Sequence, residues 1–398
     1  MDRIKIFYVI GSLDVGGCER HLTQILPCLK TKNINILVYT ISKKGALAKI
    51  LEEEGIKVIE PIKSSNKILE CKLIKPFYSA LKLYSELRHF RPDIIHFFLP
   101  QSYLVGGFIS LLIKGPKRVM SRRSLNDYQK KYPFLSKLEH WLHPKMTAIL
   151  GNSTAVCQNL LSENIQPSKI GKIYNGINLS PVAINSAPPS IRKKLNLQKK
   201  CFVISITANL IYYKGHEDLL IALSIVKEML PYPWAVLFIG RDDGIGGNLL
   251  KKAEHLNIAQ NIRWLGSRND VPDLLKISDI GVLCSHEEGF SNAILEGMAA
   301  SLPMVVTDVG GNAEAVKNGK TGFVVNARQP QELADAILKL ALDPELREKM
   351  GLAGRKRVET EFSLDRCITQ YVQLYDGLLS MPNQSVEEMI TRPGLRDE

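Results

Sequence analysis

Short apolar runs alternate with helix-period segments along both halves of this 398-residue chain, and no other feature constrains the fold as tightly. Residues 4–10, 34–40, 58–60 and 94–98 read as buried strands. Between them lie helical patterns at 17–29, where Leu22, Ile25, Leu26 and Leu29 share a face, and at 47–54 and 78–90. Strands separated by helices predict a parallel sheet with right-handed crossovers. The pattern restarts at 201–206 and continues through strands at 234–239, 262–265, 280–284, 304–307 and 322–325. Helices are predicted at 249–256, 331–342, 345–359 and 364–380.

A chain of this length supports two α/β domains, each with its own core. Pro181, Ser186, Pro188, Pro189 and Ser190 mark the break, so the expected division is 1–183, a linker at 184–200, and 201–362. The helix at 363–380 and a polar, mobile tail at 381–398 complete the expectation. Seven scattered cysteines show neither metal-ligand spacing nor a disulfide framework, which fits a reducing cytosol. The apolar stretch 103–113 contains two glycines and is too short to span a bilayer. The first ten residues read as a strand rather than a signal peptide.

Charge is unevenly distributed. Residues 1–200 carry 32 Lys/Arg against 13 Asp/Glu, and residues 201–398 carry 20 against 27, within a net charge of +12. The basic half predicts an anionic partner. Without a recognition helix or an aromatic-basic platform, nucleic acid fits poorly, and the expected partner is an anionic membrane surface. A solvated basic face is the plainer alternative.

Residues 288–296 read Glu-Gly-Phe-Ser-Asn-Ala-Ile-Leu-Glu, directly after the apolar run at 280–284. Strand, turn and helix in that order aim unpaired backbone N–H groups at the strand's carboxyl end, a favourable place for a diphosphate. Gly289, Phe290 and Ser291 would supply main-chain donors there, and Glu288 and Glu296, slightly over two turns apart, could line one side of a ligand. Lys214 follows the 201–206 strand and precedes a helix, so it can neutralise a phosphate group bound at the strand's carboxyl end. Gly16 and Gly17 make a glycine turn after the first strand, but not the Gly-x-Gly-x-x-Gly spacing of a dinucleotide site. Arg122 and Arg123 close the strand at 119–120 and are candidates for gripping a phosphate; a basic surface pair is the alternative. His96 reads as a packed core histidine, and Asp242-Asp243-Gly244 as a turn.

The paired carboxylates resemble the signature of family 4 glycosyltransferases, which have the two-domain GT-B fold. Further stretches agree in chain order: Gly11 to Arg20, Gly151-Asn152-Ser153-Thr154, Tyr174-Asn175-Gly176, Lys214-Gly215 and Gly310-Gly311-Asn312-Ala313-Glu314. The resemblance covers residues 4–378. It implies two Rossmann-like domains facing across a cleft, with the last long helix crossing back to the first. It implies a retaining transfer, without metal or other cofactor, from a nucleotide-diphosphate sugar (UDP favoured) to an acceptor hydroxyl. The acceptor would be a lipid-linked saccharide or glycolipid of cell-surface polysaccharide or lipopolysaccharide synthesis, at the inner face of the cytoplasmic membrane. Glu288 would contact the donor sugar, Glu296 the ribose, and Lys214 the diphosphate, while Gly16 and Gly17 would close on the donor. The family usually has Arg five residues before this lysine. Asn209 stands there instead, keeping a donor and losing a charge. A sugar-nucleotide epimerase of the same fold, or a non-catalytic membrane- or transferase-binding relative, are the competing readings.

Overall fold

The computed structural model describes residues 4–61, 74–125, 128–179, 189–231 and 233–392. They form two compact units, one of residues 1–176 with 364–398, the other of residues 177–363. The first contains a seven-stranded sheet: β1 (Ile4–Ser12), β2 (Ile34–Lys43), β3 (Lys57–Ile59), β4 (Ile94–Phe98), β5 (Lys117–Arg122), β6 (Ala148–Gly151) and β7 (Ile170–Lys172). The spatial order is β3-β2-β1-β4-β5-β6-β7, and every pairing is parallel. Sheets covered on both faces need strands without polar alternation. β1 meets that demand, with Ile6, Phe7, Tyr8, Val9 and Ile10 all fully buried. The direction of winding reverses between β1 and β4, which opens a crevice beyond their carboxyl ends.

The helix Leu364–Ser380 belongs to this first unit although nearly 190 residues separate it from Gly176. Cys367, Ile368, Tyr371, Leu374, Tyr375 and Leu378 recur at intervals of three and four, forming one apolar stripe. That stripe enters the same core as Tyr8, Ile10, Leu22 and Phe98. Each such side chain contributes about 1.5–3 kcal/mol by leaving water. The position is specified by polar groups within that core. The Tyr8 and Tyr375 hydroxyls lie 2.8 Å apart, Tyr375 Oη is 2.9 Å from His96 Nδ1, and His96 Nε2 is 2.8 Å from Ser121 Oγ. His96 is thus the hydrogen-bonded core histidine that its sequence context suggests.

The second sheet contains β8 (Phe202–Thr207), β9 (Trp234–Ile239), β10 (Ile262–Gly266), β11 (Ile280–Leu283), β12 (Met304–Thr307) and β13 (Gly322–Val325). Its order is β10-β9-β8-β11-β12-β13, again all parallel, with the reversal between β8 and β11. The two α/β sheets agree with the expected fold class.

Two expectations need correction. Residues 189–200 are not a free linker: Ile191 and Leu197 are buried with Val203 and Leu237, and Arg192 donates to the carbonyls of Ile277, Gln198 and Cys201. Residues 184–188 lie outside the described residues. The tail after Pro382 is also not loose as far as residue 392. A helix at Val386–Ile390 opens with a capping box of Ser385 and Glu388, and buries Val386, Met389 and Ile390. Gly171 and Gly377 have no side chain where Val386, Met389 and Ile390 pack, which permits the close approach. Composition alone reads this segment as polar because only three of its side chains face inward.

Two predictions follow from this core. Tyr375→Phe leaves the Tyr8 hydroxyl and His96 Nδ1 short of a partner, so it should cost about 1–3 kcal/mol in denaturant unfolding of the first unit; an unchanged midpoint would contradict the network's role. Burial, reinforced by the Arg123 charge, pushes His21 and His96 well below the ordinary histidine range. The unfolded chain takes up their protons below about pH 6.5 while the folded chain does not. Stability contributed by the neutral rings is therefore complete above that pH and lost below it, by up to ~1.4 kcal/mol per pH unit for each ring. Unfolding curves at pH 7.5 and 5.5 check this, and His96→Gln should remove about half of the difference, leaving the part due to His21.

Candidate functional site

The crevice beyond β8 and β11 collects the chemistry of the second unit. β8 leads through a single turn, Tyr212–Lys214, to Gly215, and the helix His216–Val226 follows. Gly215 has φ +68°, and a methyl there would collide with the carbonyl oxygen of Cys284, so the loop lies directly on the end of β11. The His286 N–H donates to the Tyr213 carbonyl at 2.7 Å, and the His286 ring bonds Asp218 at the same distance.

That contact brings Lys214 to Glu288. Lys214 Nζ lies 2.5 Å from Glu288 Oε1, with side chains only 18% and 11% exposed. Ser285 Oγ donates to the same carboxylate oxygen at 2.8 Å, and the Tyr213 ring lies 5.2 Å from the ammonium. The loop bearing Glu288 is also held from its other side. Thr307 Oγ1 donates to the Ser285 carbonyl at 2.5 Å, and the Gly311 N–H donates to the Gly289 carbonyl at 2.8 Å. Gly310, at φ +53°, has its α-carbon hydrogen where a methyl would strike the Glu288 carbonyl oxygen. The Gly310-Gly311 pair is therefore a support for the acidic loop.

The helix carrying Glu296 runs Asn292–Ala299, with Ser291 at its N-cap position. It begins three residues after Gly289, so its first-turn N–H groups belong to Asn292, Ala293 and Ile294 rather than to residues 289–291. Phe290 is 5% exposed and packs on Phe362 at 5.4 Å, which makes its ring an anchor for the loop. Glu296 is half-buried one turn into the helix. Asn209 is turned to another partner: its amide donates to Asp243 Oδ2 at 3.1 Å, and its carbonyl accepts from the Arg241 N–H at 3.2 Å. The Arg241 guanidinium forks onto the same Asp243 carboxylate at 2.6 and 3.2 Å. The adjoining loop thus carries an arginine, but its charge is paired with Asp243. Ser285 and Arg241 escaped sequence reading; only their places directly after β11 and just after β9 signal them. Asp242 accepts from the N–H groups of Gly244, Ile245 and Gly246, capping the helix Gly246–His255 as a turn residue would.

In the first unit, Gly16 sits in extended conformation at the start of the helix Gly17–Thr31, at the β1 side of the other crevice. Arg122 is not placed to grip a soluble phosphate. Its side chain is 1% exposed and lies 2.5 and 2.9 Å from the two oxygens of Glu163, with Glu139 at 3.3 Å. A guanidinium so buried is held by carboxylates, whose removal would strand a charge. Arg123 is half-buried and donates to Asn175 Oδ1 at 2.5 Å, tying β5 to the Tyr174-Asn175-Gly176 signature.

Among the described residues, His140, His143 and Glu163 have metal-ligand spacing. Burial opposes ionisation of Glu163, but the bonds from His143 and Arg122 outweigh it and hold the carboxyl down at about 2. With Arg122 on both oxygens, that carboxylate is already neutralised, so the cluster does not fit a cation.

Comparison with known proteins places this geometry. The group 1 glycosyl transferase model matches residues 189–357, and the Glycosyltransferase Family 4 model matches residues 15–181. A Campylobacter jejuni N,N'-diacetylbacillosaminyl-diphospho-undecaprenol alpha-1,3-N-acetylgalactosaminyltransferase is 31% identical over 388 residues, 93% of this chain and 99% of its own. An Escherichia coli UDP-Gal:alpha-D-GlcNAc-diphosphoundecaprenol alpha-1,3-galactosyltransferase is 24% identical across 94% of this chain and 97% of its own. Anabaena HepE, solved with UDP-glucose, superposes with a TM-score of 0.81 over 94% of this chain and 100% of its own at 20% identity, a likeness of fold. The two sheets and these matches define a glycosyltransferase of GT-B architecture. Within that class the chain belongs to glycosyltransferase family 4.

If Gly310 supports the acidic loop, Gly310→Ala should weaken binding of a nucleoside diphosphate by at least about tenfold, since a displaced backbone costs more than ~1 kcal/mol. Gly319→Ala is the control, because Gly319 has φ +74° with open space around it. Isothermal titration of both variants decides: equal affinities would remove Gly310 from the site.

Proposed function

We propose that this chain transfers a sugar with retention from a UDP-sugar to a hydroxyl of a lipid-linked saccharide or glycolipid, working at an anionic membrane face without a metal ion. The observation that carries the reading is the Lys214–Glu288 pair at the switch point of the second sheet. A cation and a carboxylate held together by rigid loops form a two-part receptor, one part for a diphosphate and the other for sugar hydroxyls. When the donor enters, its diphosphate takes the ammonium from Glu288, and the released carboxylate accepts hydrogen bonds from the sugar. Lys214 and the first-turn N–H groups of the helix Asn292–Ala299 then stabilise charge growing on the leaving diphosphate. Glu296 accepts from the ribose. No protein nucleophile is assigned to the retention.

Names of relatives support the donor and acceptor classes: the E. coli relative is named for UDP-Gal, and both that protein and the C. jejuni relative for diphospho-undecaprenol-linked sugars. No described helix is long and apolar enough to cross a membrane. Access to a lipid-linked acceptor therefore requires surface association, which the basic first 200 residues favour.

Thermal unfolding with UDP, GDP and ADP tests the donor site. A ligand at a hundred times its dissociation constant adds ~2.7 kcal/mol to the native state. UDP should raise the second unit's transition, and Glu296→Ala should abolish the rise. Lys214→Ala should lower kcat about a hundredfold or more, as loss of a charge-stabilising group does. Absence of a shift with UDP would remove the donor assignment, and turnover of donor without acceptor would point to epimerisation instead.

A further inference from the structure

The helix Pro133–Leu142 is apolar on the wrong side. Leu142 and Glu139 face inward and are fully buried, as expected of a helix lying on a sheet. Yet Phe134 is 71% exposed and Trp141 51% exposed, seven residues apart and so on one outward stripe, with exposed Lys137 between them. Tyr132, just before the helix, is 48% exposed. A helix with large apolar side chains on both its inward and outward faces is ordinarily covered on both.

The aromatic side chains are held in place. Trp141 stacks on Phe108 at 5.4 Å with an interplanar angle of 11°, and Leu112, one turn beyond Phe108, is 67% exposed. Lys145 Nζ lies 5.5 Å from the Trp141 ring and Lys131 Nζ 5.6 Å from the Tyr132 ring. Among the described residues 128–146 the acidic side chain is Glu139, and it is buried against Arg122. Among the described residues the outward charge of this segment is therefore positive, from exposed Lys131, Lys137 and Lys145.

We propose that Tyr132, Phe134, Lys137, Trp141 and Lys145 form the face that docks on an anionic phospholipid bilayer; this rests on the membrane-surface reading above. Charge complementarity selects the occupant. A protein partner would meet three lysines and need a matching acidic surface, whereas phospholipid headgroups supply anions at every lateral position. Trp and Tyr favour that zone because one end is apolar and the other wet. Lysine stems lie along the aromatic rings while their ammonium groups reach phosphate. Phe134 enters the acyl boundary, with Leu112 beside the stack, so that hydrophobic and electrostatic binding act together.

Co-sedimentation of the full chain with vesicles tests the assignment, using phosphatidylcholine alone and phosphatidylcholine mixed with phosphatidylglycerol. The wild type should pellet with the anionic vesicles, with a blue shift in Trp fluorescence that Trp141→Phe removes. Phe134→Ser/Trp141→Ser and Lys131→Glu/Lys137→Glu/Lys145→Glu should each reduce partitioning about tenfold or more. The thermal transition of the first unit should be unchanged in both, which reports an intact fold of the unit that carries the substitutions. A wild type that pellets with neither vesicle overturns the membrane reading itself. A wild type that pellets while both variants pellet equally overturns this face and leaves that reading standing. Equal pelleting on neutral vesicles overturns the anionic preference. Light scattering that shows a dimer dispersed by Phe134→Ser/Trp141→Ser would assign the face to a second copy instead.

Discussion

The first unit depends on a polar chain enclosed in an apolar core: Tyr8, Tyr375, His96 and Ser121, linked by bonds of 2.8 to 2.9 Å. Hydrophobic burial alone would let the helix Leu364–Ser380 slide or rotate, since apolar contact is not directional. Fully buried hydroxyl and imidazole groups allow no such freedom, because any displacement leaves them unpaired. Three elements are fixed at once: β1 through Tyr8, β4 through His96 and β5 through Ser121. β1 and β4 are the strands at which the sheet reverses, so the network also sets the crevice on which the Gly16–Gly17 turn opens.

The second unit achieves rigidity by a different route. Its acidic loop is held by backbone contacts so close that Gly215 and Gly310 cannot carry side chains. Backbone N–H and carbonyl groups from Tyr213, Ser285, Gly289 and Gly311, with the Thr307 hydroxyl, complete the clamp. The Lys214 and Glu288 side chains therefore project from a rigid frame, and each satisfies the other.

Much of this is legible in the sequence because strand burial and loop chemistry leave local marks. The run 280–284 followed by Glu-Gly reads as strand and turn, and Lys214 is visible from its place between a strand and a helix. What fails is long-range pairing. Arg122 reads as a ligand for anions because nothing nearby in the chain reveals Glu139 and Glu163, which neutralise it from 17 and 41 positions away. The Val386–Ile390 helix is hidden because its burial depends on Gly171 and Gly377, neither adjacent to it. Arg241 is obscured for the same reason, since its relation to Asn209 arises from the pairing of β8 with β9. The start of the Glu296 helix is displaced from Gly289 because Phe290 is used to anchor the loop on Phe362.

The discontinuity of the first unit has a consequence for the order in which the protein is made. Residues 177–363 are complete as a unit once Ser363 has been synthesised and has emerged. The earlier-made sheet must still wait for Tyr371, Leu374 and Tyr375 before its core is closed. Until those residues are made, the face of the sheet they cover has no partner from its own unit, and Tyr8 and His96 lack the Tyr375 hydroxyl. The unit that begins the chain is thus the one whose sequence is completed last, the reverse of the order in which successive domains usually become available to fold.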